Sequence, residues 1–485
     1  MTVVYYCSSH RQDLRAIQPF IADCLEQVAQ DHHPQIASLS FVVPTVDPLL
    51  ALAHLADRQE PHLYLERAVS EEAVAAFGST LTYQSTGAQR FVDAHAFLEQ
   101  WWPRIHAYQD ADSAPDSLTA ALEPRFFCSF TFFPDSTGAG LDFPSATITL
   151  PQWQILRQGQ TCLFTANFLL TAETTLMSVL DELNAHLLAL QRLADDSLST
   201  EVIPAGTSFH NFFLRRSSAL AKSHFKESVR QALGHITHHQ VQKIVLAHAL
   251  DVVQDRPFKI SLSLAQLRQR YPDCYVFSVG NGRDKTFIGA SPERLLSVAH
   301  RRLSTDALAG SAPRGRTAKE DRQLALHLLH STKEQAEHQI VVNFLAQTLA
   351  ELGLQPYYPK PPTLLRLSNI QHLHTPIQAR VAGRIHPLQL VEALHPTPAV
   401  AGLPIGAACE QIHAYEQFDR GLYGAPLGWI RANGDSEFIV GIRSALISSN
   451  WARLYAGAGI VAGSDPEREW AEINLKFRAL GESLI

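Results

Sequence analysis

Two hydrophobic rhythms run through this chain, and the order in which they follow one another limits the fold. Strand-like alternation comes in groups: LSFVVPTV, RFFCSFTFF and ATITLPQWQILRQGQTCLFTANFLL early, then CYVFSVG, KTFIGASP and RLLSVA, then LGWIRA, EFIVGIRSALI and ARLYAGAGIV near the end. Helical spacing separates the groups, in LMSVLDELNAHLLALQRLADD, HFKESVRQALGHI, LSLAQLRQRY, a long stretch from about Lys319 to Leu352, and PEREWAEINLKFRALGESL. A doubly wound sheet needs strand and helix to alternate one for one. This order does not, and it predicts an α+β fold.

A chain of 485 residues exceeds what one small core organises, so either two domains or one large layered domain is expected. The polar stretch DDSLSTEVIPAGTS (195–208) is the candidate boundary, dividing residues 1–205 from 206–485. With 46% hydrophobic and 18% charged residues the composition is that of a soluble globular protein. A net charge of −7 gives no reason to expect nucleic acid or an anionic membrane as partner. Cys7, Cys24, Cys128, Cys162, Cys274 and Cys409 form no CxxC pair, which predicts reduced thiols in a cytoplasmic protein. The start, MTVVYYCSSHRQDLRAIQPF, lacks the basic then apolar pattern of a secretory signal. No apolar run reaches the roughly 20 residues that span a bilayer.

The stretch YAGAGIVAGSDPEREWAEINLK (455–476) offers two readings. Its glycines suggest a phosphate cradle, but the spacing is GxGxxxG, at the end of the chain, with no βαβ unit after it. Small residues there serve close backbone approach better. Asp465-Pro466 fits an N-cap followed by proline at the first helical position. Glu469, Glu472 and Lys476 then share one helix face, as do Glu334 and Glu337 in STKEQAEHQIVVNFL. Such faces are ordinarily solvated, yet grouped carboxylates are also what Mg²⁺ needs. Lys243 in QKIVLAHAL and Glu293 in GASPERLLSV stand at strand ends. Exposed, they are unremarkable surface charges. Placed in an apolar site, the lysine becomes a candidate base and the glutamate a candidate acid.

Taken in order, KIVLAHAL, SPERL, ALAGSAPRG, KEQAEHQIVV, HLHTP, LHPTPAVAGLP, FDRGLYGAPLGW, GIRSALI and YAGAGI with the EW, Glu472 and Lys476 after it form one collinear set. Over about residues 210–485 the chain resembles the chorismate-binding enzymes. The resemblance implies a large layered body of two packed antiparallel sheets with helices outside and the active site in the cleft between them. It also implies that residues 1–205, which look like the family's variable N-terminal part, add strands to the same body.

Within the family, members that use water resemble this chain in carrying lysine at position 243, where ammonia users carry glutamine. Members with a lysine nucleophile carry it where this chain has Ala309. The run LHPTPAVAGLP resembles the isochorismate synthases of quinone pathways (menaquinone or phylloquinone), although siderophore routes begin with the same product. The resemblance therefore implies isochorismate synthesis from chorismate, with salicylate synthase as the rival. Lys243 would activate water and Glu293 would protonate the departing hydroxyl. Mg²⁺ would be held by Glu337 and Glu472, with Glu334 and Glu469 behind them. Arg443, Lys476, Tyr455 and the backbone N–H groups of Gly457, Ala458 and Gly459 would bind carboxylate oxygens. His372 would lie near the C4 hydroxyl or ring carboxylate, and Ala399 would line the ring pocket. A monomer is the family-like expectation. One departure stands out: His248 replaces the family's usual arginine, which predicts a pH-dependent charge beside the site.

Overall fold

The computed structural model describes residues 17–57, 59–109, 122–135, 142–197, 219–368, 370–381 and 385–485. Cys7 and most of the candidate boundary stretch, including position 205, lie outside the described residues. Two large sheets stack face to face. The first has 12 strands, in the spatial order Gly402–Leu403, Lys243–Val253, Trp451–Ile460, Ser444–Ser448, Thr286–Ser291, Tyr275–Asn281, Pro61–Arg67, Glu72–Phe77, Trp153–Gln158, Thr161–Leu170, Gln35–Val43, Ile105–Gln109. The second has 9, in the order Thr363–Arg366, Ile370–Arg380, Arg302–Pro313, Arg294–Ala299, Ser436–Val440, Pro426–Arg431, Arg125–Phe130, Ala146–Leu150, Leu81–Ser85. Early and late parts of the chain meet in both sheets, at Pro61–Arg67 beside Tyr275–Asn281 and at Arg125–Phe130 beside Pro426–Arg431.

Among the described residues the strands of both sheets pair antiparallel, as expected, except for one pair at the edge of the first sheet. Gln35–Val43 and Ile105–Gln109 run parallel. The long connection between them returns the chain in the same direction, as a parallel pair requires.

Alternate residues of each strand enter different cores. Leu63, Leu65, Val74, Ala76, Phe127, Phe277, Trp429 and Tyr455 share the layer between the sheets. Their neighbours Tyr64, Ala75, Phe126, Cys128 and Val276 pack outward, with the outer helices, in the larger core. Strands covered on both faces explain the nearly unbroken apolar runs, such as RFFCSF, buried at every position. The long helical stretch expected from Lys319 to Leu352 is two helices, Ala318–His330 and Thr332–Glu351. Ser331 caps the second one, its hydroxyl accepting from the Glu334 N–H at 3.4 Å. The break puts Glu334 in a first turn and aims the carboxylates of this helix at the late helix Pro466–Gly481.

Candidate active site

Lys243 opens the strand next to the edge of the first sheet and is 1% exposed. Its Nζ lies 2.8 Å from Glu337 Oε1. Glu293 sits where the chain leaves Thr286–Ser291 in the first sheet for Arg294–Ala299 in the second. Its carboxyl is buried, and burial pushes it up to about 8; Lys243 pulls the other way, Asp306 adds to the rise and Arg443 opposes it. At neutral pH this acid keeps its proton. The sheet-to-sheet crossing thus brings a primary amine and a protonated carboxyl into one buried space.

Four more carboxylates gather above them from two helices. Thr332–Glu351 supplies Glu334 and Glu337; Pro466–Gly481 supplies Glu469 and Glu472. Asp465 accepts from the Glu467 and Arg468 N–H groups, which fixes the start of the late helix. Burial raises Glu469 to about 7, with Glu472 adding to the rise. Burial and Glu337 together raise Glu334, whose Oε2 accepts the Ser311 N–H at 3.1 Å. Burial alone would raise Glu472, but Lys476, Lys333 and Lys243 hold it below the ordinary carboxylate range. Lysines stand among these carboxylates: Lys476 Nζ is 2.8 Å from Glu472 Oε1, and Lys333 Nζ is 3.6 Å from Glu469 Oε1, joining the two helices.

Glycine matters at two points here. A Cβ on Gly459 would come within 2.6 Å of Glu337 Oε1 and 3.0 Å of Lys243 Cε. Gly310, at φ 75°, lies against Glu334, where a Cβ would meet the backbone oxygen at 3.1 Å.

The ladder phase corrects one backbone assignment. Opposed residues of an antiparallel pair alternate between bonded and unbonded positions. Val245 and Ala247 donate their N–H groups away from the ladder, to Ala401 O at 2.8 Å and Glu416 Oε1 at 2.7 Å. Their partners Gly459 and Gly457 therefore turn their backbone groups to the opposite edge, where Gly457 O accepts from Lys476 Nζ at 2.7 Å. Ala458 faces Leu246 in a bonded pair and buries its methyl in the larger core. Its N–H is thus unavailable to a ligand, unlike those of Gly457 and Gly459.

Arg443 holds a left-handed conformation, φ 50°, between two strands. Its Nη2 donates to His372 Nε2 at 3.0 Å, and His372 Nδ1 lies 2.8 Å from Ser311 Oγ. A lone pair on Nε2 and a proton on Nδ1 satisfy both contacts, and burial beside Arg443 and Lys476 keeps this imidazole neutral. His372 thus aims the guanidinium. Tyr455 stacks on Tyr423, ring centroids 5.2 Å apart, in the layer between the sheets, on the strand face that Gly457 and Gly459 continue. Ala399 lies in the turn after Thr397, two residues before the Ala401 carbonyl that receives the Val245 N–H. A cleft of about 730 Å³, lined in part by Tyr271, Ser311, Arg443, Glu472, Leu475 and Lys476, leads from the surface to this cluster.

His248 corrects another expectation. It alternates onto the opposite face of the lysine strand, against Phe225, Trp470 and Phe477. Burial lowers it to about 4, so it carries no charge near neutral pH. Sequence reading did not single out Lys333, Ser311 or Tyr423, although each stands inside or beside a quoted block. Among the described residues, the one trio with ligand atoms all within 4.8 Å is remote from this site: His95, Glu99 and His386. There the two imidazoles stack at 3.8 Å and His386 Nδ1 accepts the Leu388 N–H at 3.2 Å, a helix cap.

A family model described as chorismate binding enzyme matches residues 23–485. The salicylate biosynthesis isochorismate synthase of Pseudomonas aeruginosa is 33% identical over 479 residues, covering 98% of this chain and 95% of that protein. The isochorismate synthase MenF of Bacillus subtilis is 28% identical, over 97% of this chain and 98% of that one. Among solved structures, MenF, the menaquinone-specific isochorismate synthase from Escherichia coli, superposes with a TM-score of 0.71 at 27% identity, over 96% of this chain and 99% of that one.

Proposed function

This chain belongs to the chorismate-binding enzyme family, and we propose that within it the chain is an isomerase that converts chorismate to isochorismate. The observation that carries the reading is the buried pair of Lys243 with a Glu293 that keeps its proton to about pH 8. The relatives named as isochorismate synthases support it over nearly the whole chain.

Chorismate carries a ring carboxylate, an enolpyruvyl ether and a C4 hydroxyl. Lys243 Nζ takes a proton from water as its oxygen bonds to C2. The two ring double bonds shift by one position, and the C4–O bond breaks. Glu293 delivers its proton to the departing hydroxyl, which leaves as water. One water is consumed and one released, so the net change is an isomerisation. Arg443, aimed by His372, binds the enolpyruvyl carboxylate, and the outward N–H groups of Gly457 and Gly459 line the same wall.

The donor set fits a hard divalent cation: oxygen only, four carboxylates from two facing helices, with Glu334 and Glu469 raised by burial and by one another's neighbours. Glu337 and Glu472 would hold Mg²⁺, with Glu334 and Glu469 behind them. When bound, Mg²⁺ supplies charge neutralisation and orientation for the ring carboxylate. Lys243 and Lys476 each contact one of the two inner carboxylates, so these side chains must share them with the cation.

The reading includes a monomer working in the cytoplasm and feeding a quinone route. The cysteines Cys24, Cys128, Cys162, Cys274 and Cys409 are free, and no helix among the described residues is long and apolar enough to cross a membrane. Lys243→Ala and Glu293→Gln test the chemistry. Each is expected to lower kcat by roughly 10²–10⁴-fold with the fold retained. Turnover at the level of the unaltered protein in either variant contradicts its assigned role.

A further inference from the structure

The strand that carries Lys243 lies near the end of its sheet, and strand pairing covers its outer edge only briefly. Gly402–Leu403 pairs with Lys243 and Ile244 alone. Val245 and Ala247 are buried just beyond, with backbone groups pointing outward. Left unpaired, each such group costs about 1–3 kcal/mol. Two side chains take the place of the missing strand. Glu416 Oε1 accepts the Ala247 N–H at 2.7 Å, and Arg420 Nη2 donates to Val245 O at 2.9 Å.

The same guanidinium reaches a second segment, Nη1 donating to Val400 O at 2.8 Å, one residue after Ala399. Glu416 closes the fork, accepting from Nε at 2.8 Å and Nη2 at 2.5 Å. The side chains of Arg420 and Glu416 are 1% and 3% exposed, and the guanidinium lies 4.3 Å over the Phe132 ring. One planar cation therefore ties the lysine strand to the Thr397–Ala401 turn. Three residues further along, Tyr423 holds its hydroxyl 2.8 Å from where a Cβ on Gly457 would stand.

We propose that Glu416 and Arg420 are a positioning pair, which fixes the distance between the Lys243 amine and the wall formed by Ala399 and Val400. The proposal rests on the reading of Lys243 as base. The pair touches no reacting atom and acts through the backbone of Val245, Ala247 and Val400. Three acceptors must be met in one plane, which a guanidinium can do and an ammonium cannot. A buried ion pair is a poor source of stability, since apolar pairs of like volume often do as well. Register is what such an apolar pair could not supply here. A shift of about 1 Å between catalytic groups costs on the order of 10²-fold in rate.

The test uses Arg420→Lys and Glu416→Gln in the full chain, with Mg²⁺ and chorismate. Three readouts are taken: kcat against KM, thermal melting, and amide exchange in residues 244–250 and 397–403. Arg420→Lys is expected to lower kcat by about 10²-fold with KM little changed. Both segments then exchange faster, while Arg125–Phe130 in the second sheet exchanges as before. Glu416→Gln keeps an acceptor for the Ala247 N–H and is expected to lose less. Full kcat in folded Arg420→Lys overturns the proposal, as does a rise in KM at constant kcat. Faster exchange throughout the chain also overturns it, because that signals general destabilisation. If Arg420→Lys does not fold, Glu416→Gln decides on the same criteria. If the unaltered protein makes no isochorismate, the functional reading fails. The exchange data then still decide whether the pair holds the two segments together.

Discussion

Two spaces within one layered body differ in what lines them. Where the two halves meet, a cavity of about 360 Å³ is bounded by Leu63, Ala76, Phe127 and Phe143 of the early half and Val279 of the late half, with His62 neutral because burial lowers it to about 4. In the late half the cleft of about 730 Å³ ends on Arg443, Glu472 and Lys476, with Lys243 and Glu293 buried close by. Both regions bury charge, but differently. Between the halves, Glu66 is matched: it accepts from Tyr64 and meets Arg157 at 2.9 Å and Arg268 at 3.5 Å. Late, Glu337 and Glu472 press on both Glu334 and Glu469, and the lysines among them hold Glu472 below the ordinary carboxylate range. Matched charges hold shape. Like charges held together cost free energy, which a cation or a proton relieves.

Breaking each kind of site should give opposite results. Glu66→Ala takes the buried partner from Tyr64 and Arg157, while Arg268 keeps Asp47, and is expected to lower stability by about 1–3 kcal/mol. The kcat of the folded fraction should not change, which denaturant melts and activity at low temperature check together. Gly459→Ala reverses the pattern. Its methyl displaces the Glu337 carboxylate from Lys243, so kcat is expected to fall by about 10²-fold with little change in melting.

The acid gives a pH signature. Glu293 is raised from an ordinary 4.5 to about 8, so the fold favours its protonated form. Its contribution to stability is complete below the ordinary carboxyl range and is lost as pH rises to about 8. Activity should fall as pH passes about 8, and the residual rate of Glu293→Gln should lack that limb. The smallest effect belongs to the exposed far end of the lysine strand, where Asp251 pairs with Arg453 at 2.7 Å. Asp251→Asn should cost about 0.2–1 kcal/mol and leave kcat unchanged. A large loss of turnover there would mean that the whole strand, and not its buried start, sets the position of Lys243.

Much of this was legible in the sequence because it is local. Alternation marked the strands, Asp465-Pro466 marked the late helix, and the spacing of Glu469, Glu472 and Lys476 marked its working face. Glu293 was legible as a residue type, but its proton depends on burial that two sheets create together. The break at Ser331 was hidden because serine also occurs within helices, and only the Glu334 N–H reveals a cap. Ala458 was misread because the phase of a ladder is set by the partner strand. Lys333 stood beside Glu334 in the chain, but its contact with Glu469 crosses to another helix. Arg420 belongs to a stretch that carried the family resemblance and Glu416 lies just before it, while the open strand edge they cover exists only in the fold.

The most direct test is to incubate the purified protein with chorismate and Mg²⁺, without added ammonia or lyase, and to identify the product. The account predicts isochorismate as the accumulating product, with the rate falling above about pH 8 as Glu293 loses its proton. Accumulation of salicylate and pyruvate, or chorismate left unchanged, would contradict it.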